Sequence, residues 1–215
     1  MKKIVAVLCL MTCLALLCGC KANAKREQLV HDTLRGSWVT QISCDESTRK
    51  DLLKRIDLYA EERALVSADG PEFVKVAVFA DGEYQFRLDI QETKANVRAF
   101  YSAVLDDLYE NRSQLDELYE GDLTAMDREE FRSYYGRLYG YTDVEAMLDA
   151  FAEGAFDYEG SAELESGTYT VTAEDRILCT ALTGEASSGT LAFSYENDSL
   201  TLGFSDGEEI YSRLK

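Results

Sequence analysis

Between residues 36 and 66 the spacing of apolar residues predicts a strand followed by a helix. Trp38, Ile42 and Cys44 alternate with polar neighbours, which is typical of a strand with one buried face. From residue 45 onward apolar side chains recur at intervals of three and four, which predicts a helix that ends near residue 66. The predicted inner stripe of that helix consists of Leu52, Leu53, Ile56 and Tyr59.

Two alternating runs then flank a tight turn. Val74, Val76 and Val78 share one face of the first run. The second run presents Tyr84, Phe86, Leu88 and Ile90. Asp81-Gly82 lies between the runs, and because glycine accepts the positive φ that a two-residue turn requires, this dipeptide predicts an antiparallel hairpin.

Beyond this hairpin the period changes to that of a helix. Apolar residues at intervals of three and four predict one long helix over 92–119 and two shorter ones near 125–139 and 143–157. Thr142 and Glu145 predict a capping box at the start of the last helix, because each side chain can bind a free N–H beside the other.

After residue 160 the chain alternates again and predicts five short strands, at 167–172, 176–182, 190–195, 199–204 and 208–214. With the three earlier strands this makes eight, and eight antiparallel strands can close into a barrel whose interior holds side chains or one small ligand. The sequence therefore predicts an α+β fold: an antiparallel eight-strand β-barrel or strongly curled sheet, with a helical insertion at about 91–160 between the third and fourth strands. The predicted inner faces carry Trp38, the valines, Tyr84, Phe86, Phe193, Leu202 and Phe204.

The first twenty residues differ from the rest in composition. Lys2 and Lys3 precede an apolar run over 4–17, which is the layout of a secretory signal and is shorter than the ~20 residues that a membrane-spanning helix needs. The run ends at Leu17-Cys18-Gly19-Cys20, which resembles the lipobox of bacterial lipoproteins. The alternative is an ordinary secretory signal that is cleaved elsewhere.

The lipobox resemblance implies that a signal peptidase cleaves between Gly19 and Cys20 after Cys20 has received a diacylglycerol. Residues 1–19 would then be a lipoprotein signal peptide, and the polar residues 20–35 a lipidated tether. Two acyl chains are enough for stable anchoring, whereas one gives only reversible binding. We therefore expect an extracytoplasmic protein that is anchored to the cell membrane by its N-terminal lipid.

Acidic residues outnumber basic ones two to one in the mature chain, which keeps 40 acidic residues and all of the 22 basic ones except Lys2 and Lys3. Nucleic acid is therefore not an expected partner, because its phosphates require lysine and arginine. The pattern D-x-[DN]-x-[DN]-G of calcium loops does not occur, and we predict no metal site. The charge favours solubility and self-repulsion at a crowded cell surface.

Few residues of the mature chain suit catalysis. The only histidine, His31, falls in the predicted tether, so a Ser-His-Asp or Cys-His site is not expected. No glycine-rich phosphate loop is present, and we predict neither a cofactor nor an enzymatic activity. Three acidic pairs, which we interpret as solvated faces or turns, are Asp106-Asp107, Glu129-Glu130 and Glu208-Glu209.

Once the signal is removed and Cys20 is acylated, Cys44 and Cys179 are the remaining cysteines. Outside the membrane a disulfide between them is allowed. Both lie in predicted strands, so two buried thiols are the equal alternative.

Gly36-Ser37-Trp38 on the first strand and the meander of eight antiparallel strands resemble the lipocalin (calycin) family. Closer is the likeness to lipocalin-like lipoproteins of Gram-positive bacteria, through the lipobox, Asp81-Gly82-Glu83-Tyr84 and Gly167-Thr168-Tyr169. This resemblance implies a small hydrophobic ligand in the barrel and a packing role for Trp38 at its closed end, but it assigns no ligand-binding residue. Helices inserted within the barrel depart from the family, whose strands are joined by hairpins.

Apart from a hydrolase that acts through two carboxylates, which is the third and weakest hypothesis, two functions remain open from the sequence. The first is that of a non-catalytic lipoprotein that binds a small apolar molecule in a lipocalin-like barrel. The alternative is an interaction module that contacts another envelope protein through the acidic helical insertion, where aromatic residues offer contact area. These aromatic residues, which also suit packing against the sheet, are Tyr134, Tyr135, Tyr139, Tyr141, Phe151, Phe156 and Tyr158.

Overall fold

The computed structural model describes residues 23–117, 122–156, 163–183, 189–205 and 207–214. The chain divides into two compact units. The barrel unit comprises Met1–Thr40, Val76–Arg87 and Glu163–Lys215, and the helical unit comprises Gln41–Lys75 and Leu88–Ala162. The helical unit is thus made of two chain segments that interrupt the barrel unit.

Eight antiparallel strands form a closed barrel in which each strand pairs with its neighbours in sequence. The strands are β1 (Gly36–Ser43), β2 (Glu72–Ala80), β3 (Glu83–Leu88), β4 (Glu163–Ala173), β5 (Arg176–Thr183), β6 (Gly189–Glu196), β7 (Ser199–Phe204) and β8 (Gly207–Arg213). The barrel closes where β1 pairs with β8, with Trp38 opposite Arg213 and Val39 opposite Ser212. The predicted α+β class and the antiparallel eight-strand barrel are therefore confirmed.

Two-residue turns join strands where the sequence offers turn residues. Asp81 and Gly82, between β2 and β3, have φ angles of 49° and 86°. Asn197 and Asp198, between β6 and β7, have φ angles of 52° and 63°. Positive φ at both central residues matches the right-handed twist of the flanking strands, so the local sequence determines both hairpins.

Strand β2 does not keep the simple alternation that the three valines predict. Val76 and Ala77 are both buried, and from there the buried face continues at Phe79 while Val78 is only half-buried. The large ring of Phe79 decides this phase, because it fills the barrel interior and is 1 % exposed. The prediction that Val78 faces inward is therefore wrong.

One described helix, α1 (23–34), belongs to the barrel unit. The helical unit contains α2 (Glu46–Arg55), α3 (Ala60–Leu65), α4 (Ile90–Glu110), α5 (Arg112–Leu115), a short 3₁₀ helix (Leu123–Ala125), α6 (Arg128–Leu138) and α7 (Val144–Gly154). Helices α4 to α7 lie between β3 and β4, where the sequence predicts an insertion. The core of this unit includes Leu52, Leu53, Val97, Val104, Leu108, Leu115, Phe131, Tyr135, Met147 and Leu148.

Two segments that the sequence predicts as continuous helices are interrupted. The first is split into α2 and α3, and Asp57 between them has a φ of 50°. Tyr59, predicted on the inner stripe, is 64 % exposed at the start of α3. The helix predicted over 92–119 becomes α4 and α5, because Asn111 ends α4 and its side-chain amide donates to the carbonyl of Asp107 at 2.9 Å.

Helix α7 is capped by Asp143 rather than by Thr142. The Asp143 carboxylate accepts a hydrogen bond from the N–H of Ala146 at 2.8 Å. Thr142 instead donates its hydroxyl to that carboxylate at 3.2 Å, so the predicted capping box of Thr142 and Glu145 is wrong. The side chain of Glu145 pairs with Arg98 on α4. Thr142 and Asp143 are both suitable N-cap residues, and the packing of α7 determines that the helix begins after Asp143.

We expect Asp143→Ala to lower the free energy of unfolding by about 1 kcal/mol, because α7 loses the acceptor for its first free N–H groups. Thr142→Ala is the matched control and should change this free energy by no more than about 0.5 kcal/mol. Urea unfolding followed by circular dichroism measures both. A larger loss for Thr142→Ala than for Asp143→Ala would contradict the assignment.

Candidate functional site

Residues 1–22, and with them the predicted lipidation site Cys20, lie outside the described residues. The lipid anchor consequently stays a prediction. Among the helices that are described, none has the length and apolar character needed to cross a membrane.

Helix α1 occupies most of the segment that the sequence predicts as a tether. Val30 is 4 % exposed and Leu34 is fully buried, and both belong to the core of the barrel unit. The Nδ1 atom of His31 is hydrogen-bonded to the Tyr169 hydroxyl at 2.8 Å. The structure differs from the tether prediction here, because Val30 and Leu34 lie four residues apart on one helix face and pack into the barrel.

Helix α1 lies at the end of the barrel where β1 begins. The indole Nε1 of Trp38, a fully buried residue, donates to the carbonyl of Leu34 at 2.7 Å. Arg213 on β8 places its guanidinium 4.9 Å from the Trp38 ring centre and donates to the carbonyl of Arg35 at 2.9 Å. Arg35 pairs with Asp81 in the β2–β3 turn at 2.6 Å. These contacts fix the C-terminal end of α1 to β1, to β8 and to the β2–β3 turn.

Side chains occupy the interior of the barrel. Phe79 packs edge-on against Phe86 and Tyr169, with ring centres 6.2 and 5.7 Å apart, and Phe86 packs against Phe204 at 5.7 Å. The buried interior residues also include Trp38, Ala77, Tyr84, Ile177, Cys179, Leu191, Phe193, Leu200, Leu202 and Tyr211. A ligand at the centre of the barrel would have to displace this cluster.

The buried tyrosines Tyr84 and Tyr211 donate their hydroxyls to carboxylates. Tyr84 binds Glu165, and Tyr211 binds Glu209. Burial, and then the neighbouring carboxylate, raises the pKa of each of these phenols. Both hydroxyls therefore stay protonated near neutral pH and act as hydrogen-bond donors within the packed barrel.

A pocket of about 950 Å³ opens beside α1 in the barrel unit. Helix α1 forms one side, and the β4–β5 turn and strand β6 form the other. Its apolar lining comes from Leu29 and Val30 on α1 and from Phe193 and Tyr195 on β6. Small-molecule sites usually enclose about 300–1,000 Å³ and are mainly apolar, so this pocket has the size and lining of a ligand site.

Charged and uncharged polar side chains line the remainder of the α1 pocket. Lys25 and Arg26 contribute from α1, together with Asp32, and Glu174 and Asp175 contribute from the turn. The Nε atom of Arg26 is buried and has no hydrogen-bond acceptor among the described residues. Buried donors are nearly always paired, so this N–H marks a place where the pocket offers a hydrogen bond.

Comparisons of the chain with protein-family models, curated proteins and solved structures find no match. Residue chemistry and geometry therefore carry the functional argument. In the part of the chain that the structure describes, no group of three or more histidine, cysteine, aspartate or glutamate side chains is arranged to hold a metal ion.

Cys44 and Cys179, the pair for which the sequence allows a disulfide, are both free thiols in the structure. Cys44 belongs to the helical unit and is half-buried, whereas Cys179 on β5 belongs to the barrel unit and is 8 % exposed. Burial raises the pKa of Cys179 to about 12, and burial together with Asp45 raises the pKa of Cys44.

At pH 8 we expect a thiol reagent to modify Cys44 well before Cys179 in the folded protein, because thiolate is the reactive form and Cys179 is buried with a pKa of about 12. In the unfolded chain, where thiol pKa values are ordinary, both cysteines should react quickly.

The raised pKa of Cys179 also makes stability depend on pH. Since only the unfolded state releases the Cys179 proton between pH 9 and 12, the free energy of unfolding should fall as pH rises through that range.

Mass spectrometry of the modified peptides measures the labelling rates of Cys44 and Cys179. Cys44→Ser is the control, because it removes the faster of the two reactions. Labelling in denaturant without reductant counts the free thiols. A count of zero would show that the two cysteines form a disulfide, and faster labelling of Cys179 than of Cys44 would contradict the burial.

The aromatic residues of the helical insertion pack mainly within the helical unit. Tyr135 is fully buried, and Tyr134, Tyr139 and Phe151 pack against its core. Phe151 contacts Tyr139 with ring centres 5.3 Å apart. Tyr141 and Phe156 pack against the same core, and Tyr158 lies outside the described residues. The described members of this set therefore do not form the exposed tyrosine surface that the interaction-module alternative needs.

The acidic pairs have structural partners. Asp106 pairs with Arg128 at 2.8 Å and Arg132 at 3.3 Å, and Asp107 accepts from the N–H groups of Ser67 and Ala68 at 2.7 Å. In the other two pairs, Glu130 completes a capping box with Asp127, and Glu209 binds Tyr211. At least one acid of each pair therefore has a role in local structure.

Sequence reasoning missed one buried acid, Glu62, which is 1 % exposed in the helical unit. It accepts hydrogen bonds from the Tyr135 hydroxyl and from the N–H of Tyr59, both at 2.7 Å. Its position in the first turn of α3 makes it part of a helix cap. Glu62 lies three residues after Tyr59, which is the spacing of a capping box, but tyrosine is not a usual capping residue.

Proposed function

We propose that this protein is a non-catalytic extracytoplasmic lipoprotein, anchored to the cell membrane through Cys20, that binds a small apolar molecule beside a lipocalin-like barrel. The observation that carries the proposal is the α1 pocket, with its volume of about 950 Å³ and its apolar lining. Small-molecule binding sites in proteins usually have this size and a mainly apolar lining.

The lipocalin-like description is supported by Trp38. The family resemblance gives the tryptophan of Gly36-Ser37-Trp38 a packing role at the closed end of the barrel, and Trp38 is fully buried beneath α1. The packed interior, however, moves the expected ligand from the barrel centre to the pocket at that end. The proposal therefore places the ligand between α1 and β6.

Native mass spectrometry tests for the ligand. The chain from residue 20 with Cys20→Ser keeps every described element and carries no lipid of its own. After incubation with a mixture of lipids and fatty acids, we expect an added mass under native conditions that is lost under denaturing conditions. A mass equal to that of the chain alone in both spectra, after incubation with the same mixture, would overturn the proposal.

A pair of substitutions on β6 tests where the ligand binds. Ser194 lines the α1 pocket, whereas Thr190 is exposed on the same strand and does not line it. We expect Ser194→Trp to fill the pocket and abolish the added mass, and Thr190→Trp to leave it unchanged. Equal retention in both variants would place the ligand elsewhere.

The lipid anchor is tested in cells supplied with a labelled fatty acid. We expect the label on the wild-type protein and on Cys18→Ala, because Cys18 leaves with the signal. Cys20→Ala should lose the label and the membrane association that depends on it. Label on Cys20→Ala equal to that on the wild type would refute the assignment of the anchor.

A further inference from the structure

The α1 pocket combines an apolar surface with one buried guanidinium N–H that lacks an acceptor among the described residues. The Nε atom of Arg26 is buried without a hydrogen-bond acceptor among the described residues, although the residue lines a pocket of about 950 Å³. A buried donor without an acceptor costs free energy, and a donor on a charged group costs more. A ligand that brings an acceptor to this position would recover that cost.

The surroundings of Arg26 indicate what kind of molecule suits the pocket. Leu29 is 67 % exposed on the same helix, and Val30 and Phe193 continue the apolar lining. A hydrocarbon chain suits an exposed leucine beside such a lining, because each CH₂ that leaves water on binding adds to the affinity. Lys25, next to Arg26, adds a second positive charge to the same part of α1.

The acidic residues of the pocket limit the charge of the ligand. Asp32 already accepts a hydrogen bond from Gln28 at 2.9 Å, so one of its oxygens is engaged. Glu174 and Asp175 in the β4–β5 turn also line the pocket and would repel a doubly charged headgroup. Because three acidic and two basic side chains line the pocket, a headgroup with one negative charge, placed directly on Arg26, is repelled less than one with two.

We propose that the α1 pocket binds a long-chain carboxylate, with the hydrocarbon chain against Leu29, Val30 and Phe193 and the carboxylate on the guanidinium of Arg26. This inference rests on the proposed apolar site and adds the class of its ligand. The guanidinium edge matches a carboxylate in geometry and charge, which makes such hydrogen bonds stronger than neutral ones.

The test compares laurate with dodecanol, which has the same chain length and no charge, on the chain from residue 20 with Cys20→Ser. Isothermal titration calorimetry measures the dissociation constants. We expect laurate to bind at least about tenfold more tightly than dodecanol, and Arg26→Gln to remove that difference. Arg137→Gln, which removes one exposed positive charge from α6, is the matched control and should leave the difference intact.

The outcomes separate this inference from the proposed function. If neither molecule binds, both the carboxylate site and the apolar pocket are overturned. If laurate and dodecanol bind equally and Arg26→Gln changes nothing, the apolar pocket stands and the carboxylate inference fails. Tighter binding of dodecyl phosphate than of laurate would also refute the single-charge assignment. Circular dichroism spectra that match the wild type confirm that Arg26→Gln is folded.

Discussion

Gly167→Ala is expected to lower the free energy of unfolding by about 3 kcal/mol or more. A Cβ at this position would lie 2.2 Å from the carbonyl oxygen of Thr180 and 3.0 Å from the Cα of Ala181, both in the backbone of β5. It would also lie 2.9 Å from a ring carbon of Tyr84. Because two of these neighbours are main-chain atoms, the β4–β5 pair has to separate before alanine fits.

Gly203→Ala is the matched control for this substitution. Gly203 lies on β7 of the same barrel, where the nearest atom to an added Cβ is the Cβ of Ala192 at 3.4 Å. We expect a change within about 1 kcal/mol, since that distance is an ordinary contact. Urea unfolding of both variants gives the comparison. Equal losses would show that the close approach at Gly167 is relieved without separating the strands.

Trp38→Ala should cost about 3–5 kcal/mol, which is the usual range for removing a buried aromatic side chain. Trp38 is fully buried, contacts Tyr195 edge-on with ring centres 5.8 Å apart, and lies under the guanidinium of Arg213. The substitution also deprives the Leu34 carbonyl of its donor at the end of α1. We therefore expect α1 to loosen together with the loss of global stability.

Hydrogen exchange measures the effect on α1 directly. In Trp38→Ala the amides of residues 27–34 should exchange faster, relative to those of β6 and β7, than in the wild type. Trp38→Phe keeps an aromatic ring but removes the indole N–H, and should cost less, about 1–3 kcal/mol. Unchanged relative protection of α1 in Trp38→Ala would show that α1 is held independently of this residue.

The strands were predictable because their signals are local. Asp81-Gly82 and Asn197-Asp198 set their own turns, and the alternation on either side fixes the antiparallel pairs. Which face of β2 points into the barrel could not be predicted in this way, because the adjacent residues Val78 and Phe79 are both apolar. Only the contact of the Phe79 ring with Phe86 and Tyr169 inside the barrel decides between them.

Helix α1 shows a second limit. Residues 23–34 contain only two apolar side chains that enter the core, Val30 and Leu34, among polar and charged neighbours. The composition of such a segment predicts a tether, because the sequence does not show the part of the barrel core against which Val30 and Leu34 pack. For the same reason the sequence places His31 in the tether, although its ring contacts Tyr169 on β4.

The candidate site itself could not be predicted from a motif. The α1 pocket combines residues of α1, of the β4–β5 turn and of β6, which are distant in sequence and meet only in the closed barrel. Lys25 and Arg26 had no distinguishing signal, because charged residues are common after an export signal. The unsatisfied Nε of Arg26 becomes visible only through its burial.

The pairing of β1 with β8 has a consequence for biogenesis. Trp38 lies opposite Arg213, so the first strand of the barrel finds its second neighbour only when the chain is available as far as β8. At synthesis rates of about 5–20 residues per second, β1 waits on the order of ten seconds or longer for that partner. Hairpins such as β6–β7 can form early, but closure is a late, long-range event. A ribosome-bound or truncated chain that lacks β8 would therefore present an open sheet edge to chaperones and proteases.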